Sequence, residues 1–152
     1  LHNAGGQVFL VGGAVRDLLL EKIPKDLDIE VHNIPLDELE RILAQFGPVS
    51  TVGKSFGVIR VHGIDVDWSL PRTDASGRRP VVTIDPHMSV KQAFRRRDVT
   101  MNAMGIDLHT YELVDPFGGQ QDMAKKVLRA TDPLFFVEDP LRFFRVMQFV
   151  AR

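Results

Sequence analysis

Hydrophobic and polar residues alternate along this chain with two different periods, and the changes of period mark its elements. The first apolar run, Val8-Phe9-Leu10-Val11, has strand length and β-branched ends. Gly12-Gly13 interrupts it, and residues 14–20 follow at good helical propensity, so the start reads strand, glycine turn, helix. From Asp26 to Val31 the period is two. Asp26, Asp28 and Glu30 alternate with Leu27, Ile29 and Val31, which predicts a half-buried strand with Leu27 and Ile29 in the core. Leu36, Leu39, Ile42, Leu43 and Phe46 recur at helical spacing until Gly47-Pro48 stops them. Residues 49–52, 58–62 and 64–70 read as three more strands, the last two joined at Gly63. Residues 71–80 form the one long loop, rich in Thr, Ser, Gly and Asp and basic at Arg78-Arg79. Ser89 is placed to cap a helix over 89–98. Residues 103–108 and 111–114 read as a hairpin around His109-Thr110, and a turn at 115–119 leads into a short helix ending near Lys126. Residues 139–152 make an amphipathic helix with apolar Leu141, Phe144, Met147 and Phe149. The sum is an α+β domain, a mixed sheet with helices mainly on one side.

Composition narrows the functions open to such a domain. Its 152 residues suffice for one core, and 44% hydrophobic with 26% charged residues is a globular mix. The absence of cysteine removes a disulfide framework, a zinc–thiolate site and a thiol nucleophile together. No apolar run approaches the ~20 residues of a membrane span, and no signal-peptide pattern opens the chain, so the expected setting is cytoplasmic with no membrane partner. Nineteen Lys and Arg against 20 Asp and Glu leave a net charge of −1, which argues against a simple basic polyanion binder and directs attention to local clusters. The chain begins at Leu1 and stops inside a predicted helix, so a piece of a longer protein is expected.

The carboxylates form the clearest cluster. Residues i and i+2 of a strand share a face, about 6.5–7 Å apart, so Asp26 and Asp28 point the same way. The strand over 64–70 repeats the pattern, with Asp65, Asp67 and Ser69 on one face and Val66, Trp68 and Leu70 on the other. If the two strands are neighbours, like charges converge, which is destabilising unless a cation joins them. Mg²⁺ suits the case, because it takes one or two carboxylates and completes its shell with water and substrate phosphates. Two such ions about 3.5–4 Å apart clamp an in-line phosphoryl transfer. The alternative is a solvated sheet face bearing ordinary surface aspartates. The five histidines are scattered, show no pair at zinc-ligand spacing, and read as mostly surface.

Gly12-Gly13-Ala14-Val15-Arg16-Asp17 lies between a strand and a helix, where glycines admit a phosphate close to the backbone and Arg16 adds donors. It is neither a P-loop nor a complete dinucleotide fingerprint. Taken in order, however, the motifs become recognisable. Residues Leu10 to Asp17, followed by Asp26-Leu27-Asp28, resemble the first motif of the class II tRNA nucleotidyltransferases, the CCA-adding enzymes and the bacterial poly(A) polymerases. Arg96-Arg97-Asp98-Val99-Thr100-Met101-Asn102-Ala103 resembles the family's ribose-contacting motif, and Asp115-Pro116-Phe117-Gly118-Gly119 with Asp122 its next element. Glu138-Asp139-Pro140-Leu141-Arg142-Phe143-Phe144-Arg145 resembles its base-reading motif. The similarity covers essentially the whole chain.

The resemblance implies a polymerase-β-like nucleotidyltransferase fold and transfer of CMP or AMP from CTP or ATP to the 3′ end of tRNA or another RNA, with two Mg²⁺ ions. It implies a catalytic head over residues 1–137 and the truncated first helix of a neck domain over 138–152. Asp26 and Asp28 are then the metal ligands, and Asp67 a further catalytic carboxylate. Gly12, Gly13, Arg16 and Arg97, with Arg96, would cradle the triphosphate, and Asp98 and Asn102 would bind the ribose. Asp139 and Arg142, i and i+3 on a helix, would read the base. An Asp accepts from the exocyclic amine that cytosine and adenine share, and an Arg donates to the adjacent ring nitrogen. Glu138, i,i+4 from Arg142, would orient it, and Arg145 would touch base or phosphates. Without the family, the arginines at 95–97 read as a solvated helix face and the last motif as helix salt bridges. The loop over 72–80 is shorter than that of CCA-adding members and lacks their aromatic residue. A CC- or A-adding specialist, a poly(A) polymerase and a non-catalytic RNA- or nucleotide-binding module therefore stand as alternatives.

Overall fold

A computed structural model describes residues 1–52, 57–74 and 82–150. In chain order the elements are β1 (Gln7–Val11), α1 (Gly13–Leu19), β2 (Leu27–His32), α2 (Leu36–Leu43), β3 (Val49–Val52), β4 (Val58–Val61), β5 (Val66–Ser69), β6 (Arg72–Asp74), β7 (Val82–Ile84), α3 (Val90–Arg95), β8 (Gly105–Asp107), β9 (Leu113–Val114), α4 (Gly119–Ala124), α5 (Pro133–Phe136) and α6 (Pro140–Val150). Seven strands form one sheet in the order β3-β4-β5-β2-β1-β8-β9. β2 and β5 run parallel while the other neighbours are antiparallel, so the sheet is mixed. β6 and β7 form a separate ribbon. Residues 72–74 were expected in the loop; the ribbon gives that loop a strand on each flank, and Arg78-Arg79 lie outside the described residues.

The pleat sorts the core onto two faces. Leu10 of β1 and Ile29 and Val31 of β2 face Val15 of α1 and Leu39 and Leu43 of α2, with Met123 of α4 against the same cluster. Phe9 and Val11 face the other way, onto Ala93 and Phe94 of α3 and Ala103. Helices thus cover mainly one side, and α3 covers one end of the other.

Several expectations shift at their edges. Alternation assigns Leu27 to the core with Ile29, yet it is 39% exposed while Ile29 is buried. The last pair between β1 and β2 is Val11 with Asp28, so Leu27 runs past the end of β1 with only β5 beside it. The same strand is not half-buried at its far end, because Glu30 and His32 on the aspartate face are covered as completely as Val31 on the other. The helix expected over 89–98 starts as foreseen, with Ser89 and Gln92 forming a reciprocal capping box, but ends at Arg95. The final helix begins at Pro140, with Leu141, Phe144 and Met147 exposed.

The start of α4, after the hairpin, packs tightly against the segment over 100–104. Thr100 donates its hydroxyl hydrogen to Asp122 Oδ2 at 2.7 Å, and Arg129 Nε approaches the same oxygen at 3.0 Å. A Cβ built on Gly119 would press into the Thr100 carbonyl oxygen and lie 2.9 Å from its carbon, so backbone and not a flexible side chain would have to move. Gly119→Ala is expected to lose ~1–3 kcal/mol of stability in urea denaturation. An unchanged midpoint would show that the two segments do not pack this closely.

Candidate active site

The pairing of β2 with β5 sets Asp28 directly opposite Asp67. Asp26 lies one residue ahead of β2, exposed, and adds a third negative charge. Burial lifts the Asp28 carboxyl above its ordinary value, and Asp67 and Asp26 lift it further against the pull of Arg97. Asp67 is gripped by Arg60 of β4, whose Nη2 donates to Oδ2 at 2.7 Å while Nε donates to Oδ1. Among the described residues, no three His, Cys, Asp or Glu side chains are grouped to enclose a metal ion by themselves. An Asp28 made harder to ionise by burial and by its acidic neighbours fits a hard cation that takes one or two carboxylates and finds its remaining ligands in water and phosphate.

Arginines border these carboxylates. Arg72, Arg96 and Arg97 line a cleft of about 160 Å³ that contains Asp28 and Asp67. The same three line a neighbouring cleft of about 350 Å³ that contains Asp139 and Arg142. The end of α3 makes this arrangement. Phe94 is anchored in the core edge-on to Phe9, and the chain turns after Arg95. Arg95 points outward, its Nε 2.6 Å from Asp132 Oδ2. Arg96 and Arg97 turn inward, and each places Nη2 3.5 Å from Glu30 Oε2. The reading of 95–97 as one solvated helix face therefore holds for Arg95 alone. Burial pulls the Arg97 pKa down, with Glu30 opposing. Arg97 also explains Gly12. The φ of +73° there disfavours a side chain, and a Cβ would lie 2.8 Å from Arg97 Nη1 and 3.8 Å from Asp28 Oδ2.

The larger cleft runs between the Gly12-Gly13 turn and α6. Asn102 donates from Nδ2 to Asp98 Oδ1 at 3.0 Å and accepts on Oδ1 from Arg16 Nη1 at 2.8 Å. Arg16 also donates to Asp17 and lies over the Phe149 ring, so it ties α1 to its neighbours. Arg145 sets Nε 3.5 Å from Asp98 Oδ2 and Nη2 3.8 Å from Asp139 Oδ2. Arg142 is only 7% exposed. Its guanidinium sits 3.9 Å from the Phe135 ring centroid, donates to the Phe135 carbonyl, and approaches Asp139 Oδ2 to 4.0 Å.

The comparisons with known proteins fit this geometry. Residues 8–129 match the family model of the poly A polymerase head domain. The chain belongs to that family. It is 39% identical over 150 residues to the multifunctional CCA protein of Stenotrophomonas maltophilia, a match covering 96% of this chain and 36% of the relative. The Bacillus stearothermophilus CCA-adding enzyme, solved in complex with CTP, superposes with a TM-score of 0.84 at 31% identity, over 100% of this chain and 36% of that one. A tRNA nucleotidyltransferase complexed with a primer tRNA and an incoming ATP analog superposes with a TM-score of 0.77 at 31% identity, over 99% of this chain and 43% of that one. The fold is therefore the α+β nucleotidyltransferase fold of the CCA-adding enzymes. The chain spans about a third of the length of the curated relatives it matches.

Within this head-domain fold most of the expected residues converge. Gly12, Gly13, Arg97, Asp98, Asn102, Asp139, Arg142 and Arg145 line one cleft, and Asp28 and Asp67 line the adjoining one. Four placements differ from expectation. Asp26 lies ahead of β2 and lines neither cleft, and Asp139 precedes α6, so its approach to Arg142 is from the helix start and not from within the helix. Glu138 precedes the first turn of α6, so helical i,i+4 spacing to Arg142 does not apply; it lines a separate cleft with Arg95 and Arg96. Arg16 is turned onto Asn102 and Asp17, beside the glycine turn. Sequence reasoning missed Arg72 as a cleft residue and missed the buried pair Glu30 and His32. For Glu30 a signal existed, since alternation already placed it on the Asp28 face.

The buried charges set a pH dependence. Glu30 pays for its burial, which alone would raise its pKa, through the hydrogen bond from His32 and the charges of Arg97 and Arg96; together they hold its carboxyl at about 2, below the ordinary 4.5. Hydrogen bonds from Arg129 and Thr100 lower Asp122 as well. A depressed carboxyl stabilises the fold above its unfolded pKa, and that stability is lost as pH falls through the folded value. Asp28, raised, has the opposite sign. The melting temperature should fall between about pH 4.5 and pH 2, and Glu30→Gln should flatten that fall in calorimetric scans. A wild-type profile flat over this window would contradict the placement of Glu30.

Proposed function

We propose that the complete protein is a cytoplasmic, template-independent RNA nucleotidyltransferase that adds CMP and AMP from CTP and ATP to the 3′ end of tRNA. The observation that carries this reading is the arginine ridge shared by two clefts, with carboxylates on one side and Asp139 and Arg142 on the other. A nucleoside triphosphate is polar along that same line, with phosphates between a reacting centre and a base. The named ligands of the relatives, CTP, an ATP analog and a primer tRNA, support it. Residues 1–137 are assigned to the catalytic head and 138–152 to the first helix of a following neck unit, in keeping with the exposed apolar face of α6.

Each residue then has a task. Asp26 and Asp28 would hold Mg²⁺, whose chemistry is to acidify the RNA 3′-hydroxyl and to neutralise the departing pyrophosphate. The 3′ oxygen attacks the α-phosphorus as the bond to pyrophosphate breaks, and Asp67 is placed to take up the proton or share the cation once Arg60 lets go. Arg97, Arg96 and Arg72 face the triphosphate, and Gly12 and Gly13 keep side chains out of its path. Arg16 serves by orienting Asn102, which with Asp98 meets the ribose hydroxyls. Asp139 accepts from the exocyclic amine, Arg142 donates to the ring nitrogen beside it, and Arg145 braces Asp139. Uracil and guanine present the reverse order and leave these partners unpaired.

A poly(A) polymerase is the second reading, favoured by the description of the matched family. One assay separates them: the complete protein is given tRNA lacking its terminus, or generic RNA, with labelled CTP or ATP and Mg²⁺. CMP and AMP added only to tRNA support the first reading, while long A tracts on any RNA with CTP ignored support the second. Asp28→Ala should reduce incorporation at least about 100-fold with CTP still bound. Incorporation at wild-type rate would sink both enzymatic readings. Arg142→Ala should relax discrimination against UTP by about 5- to 150-fold, matching ~1–3 kcal/mol per unpaired partner. Unchanged discrimination would remove the pair from base reading.

A further inference from the structure

Glu30 and His32 continue the aspartate face of β2 beneath α3, where they are 0% and 2% exposed. A carboxylate in such a place is costly unless donors meet it. Glu30 Oε1 lies 3.1 Å from His32 Nε2, and its Oε2 lies 3.5 Å from both Arg96 Nη2 and Arg97 Nη2. His32 is fixed in turn: Nδ1 lies 3.1 Å from the Met88 carbonyl oxygen, and Phe9 packs edge-on at 5.3 Å. One anchored carboxylate therefore sits behind two guanidinium groups. In front of them are the clefts, and the Nε atoms of Arg96 and Arg97 are buried with no hydrogen-bond partner among the described residues. Two adjacent guanidinium groups repel each other. Without a shared acceptor behind them they would spread apart.

We propose that Glu30, clamped by His32, is a positioning residue that holds Arg96 and Arg97 together as a preformed polyphosphate cradle. The inference rests on the reading that the clefts take a nucleoside triphosphate. It makes a prediction against simple electrostatics. Neutralising Glu30 makes the site more positive, so arginines that stayed in place would bind phosphates more tightly. If Glu30 positions them, binding weakens despite the gain in positive charge.

The test is calorimetric titration of the complete protein with inorganic tripolyphosphate and with CTP, alongside steady-state kinetics. Glu30→Gln should weaken tripolyphosphate and CTP binding about tenfold and raise KM for CTP more than it lowers kcat, tenfold being the scale of one lost charge-assisted contact. His32→Gln, which keeps the carboxylate and loosens its clamp, should weaken both in the same direction by less. Unchanged or tighter tripolyphosphate binding by folded Glu30→Gln would overturn the proposal. Should that variant fail to fold, unchanged binding by His32→Gln would overturn it equally. A wild-type protein that binds neither probe would overturn the nucleotide reading and this one with it.

Discussion

The parallel pairing of β2 with β5 is the constraint on which the rest depends. It sets Asp28 across from Asp67 in register, an arrangement that an unconstrained sheet avoids because like charges directly opposite repel. The surrounding structure offsets that repulsion from two directions. Arg60 reaches across from β4 to grip Asp67, and Arg97 approaches Asp28 from the turn after α3. The Asp28 pKa is still raised, first by burial and then by the charges of Asp67 and Asp26, against the pull of Arg97 and Arg60. Natural folds tolerate such local conflicts at working sites, and here the conflict lies in a cleft that the arginine ridge lines.

The place where α3 stops matters as much as the strand register. Were it to continue to residue 98, Arg95, Arg96 and Arg97 would fan out by about 100° per residue, and no two would face one carboxylate. Ending at Arg95 sends that side chain to Asp132 and returns the next two to Glu30. The start of the helix is fixed by the Ser89–Gln92 capping box and its seat by Phe94, so the position of the turn is determined from both ends. Gly12 completes the arrangement, since a side chain there would occupy the space of Arg97.

Much of this was legible in the pattern of residues. Period-two alternation located the strands and singled out Asp28 and Asp67 before any pairing was known; it also set Asp26 on the strand face of Asp28, whereas β2 begins only at Leu27. What alternation cannot supply is the partner on each side. Leu27 fits the core pattern but outruns β1, whereas Glu30 and His32 fit the solvated pattern but lie under α3. Both misplacements arise from long-range packing, which a local period does not encode. Arg72 escaped notice because its neighbours over 71–80 read as loop, while a strand ribbon holds it against both clefts. Motif position alone gives Arg16 and Glu138 their roles, while their side-chain directions depend on Asn102 and on where α6 begins.

α6 shows how far the site reverses ordinary burial. Its apolar Leu141, Phe144 and Met147 are exposed, while Arg142 on the opposite face is buried. A buried cation survives only when its donors are matched, and Arg142 has the Phe135 ring beneath it and the Phe135 carbonyl as acceptor. That support is what the proposed role in base reading requires. A nucleic-acid template holds its donors and acceptors in place through its own backbone, whereas an arginine has four rotatable side-chain bonds whose freedom must be removed beforehand if binding is to discriminate. The same logic recurs at the other end of the ridge. Glu30 stands behind Arg96 and Arg97 as the Phe135 carbonyl stands behind Arg142. At both ends a fixed acceptor restrains the guanidinium groups, so in the proposed nucleotide-binding role their ordering is contributed by folding and not by the ligand.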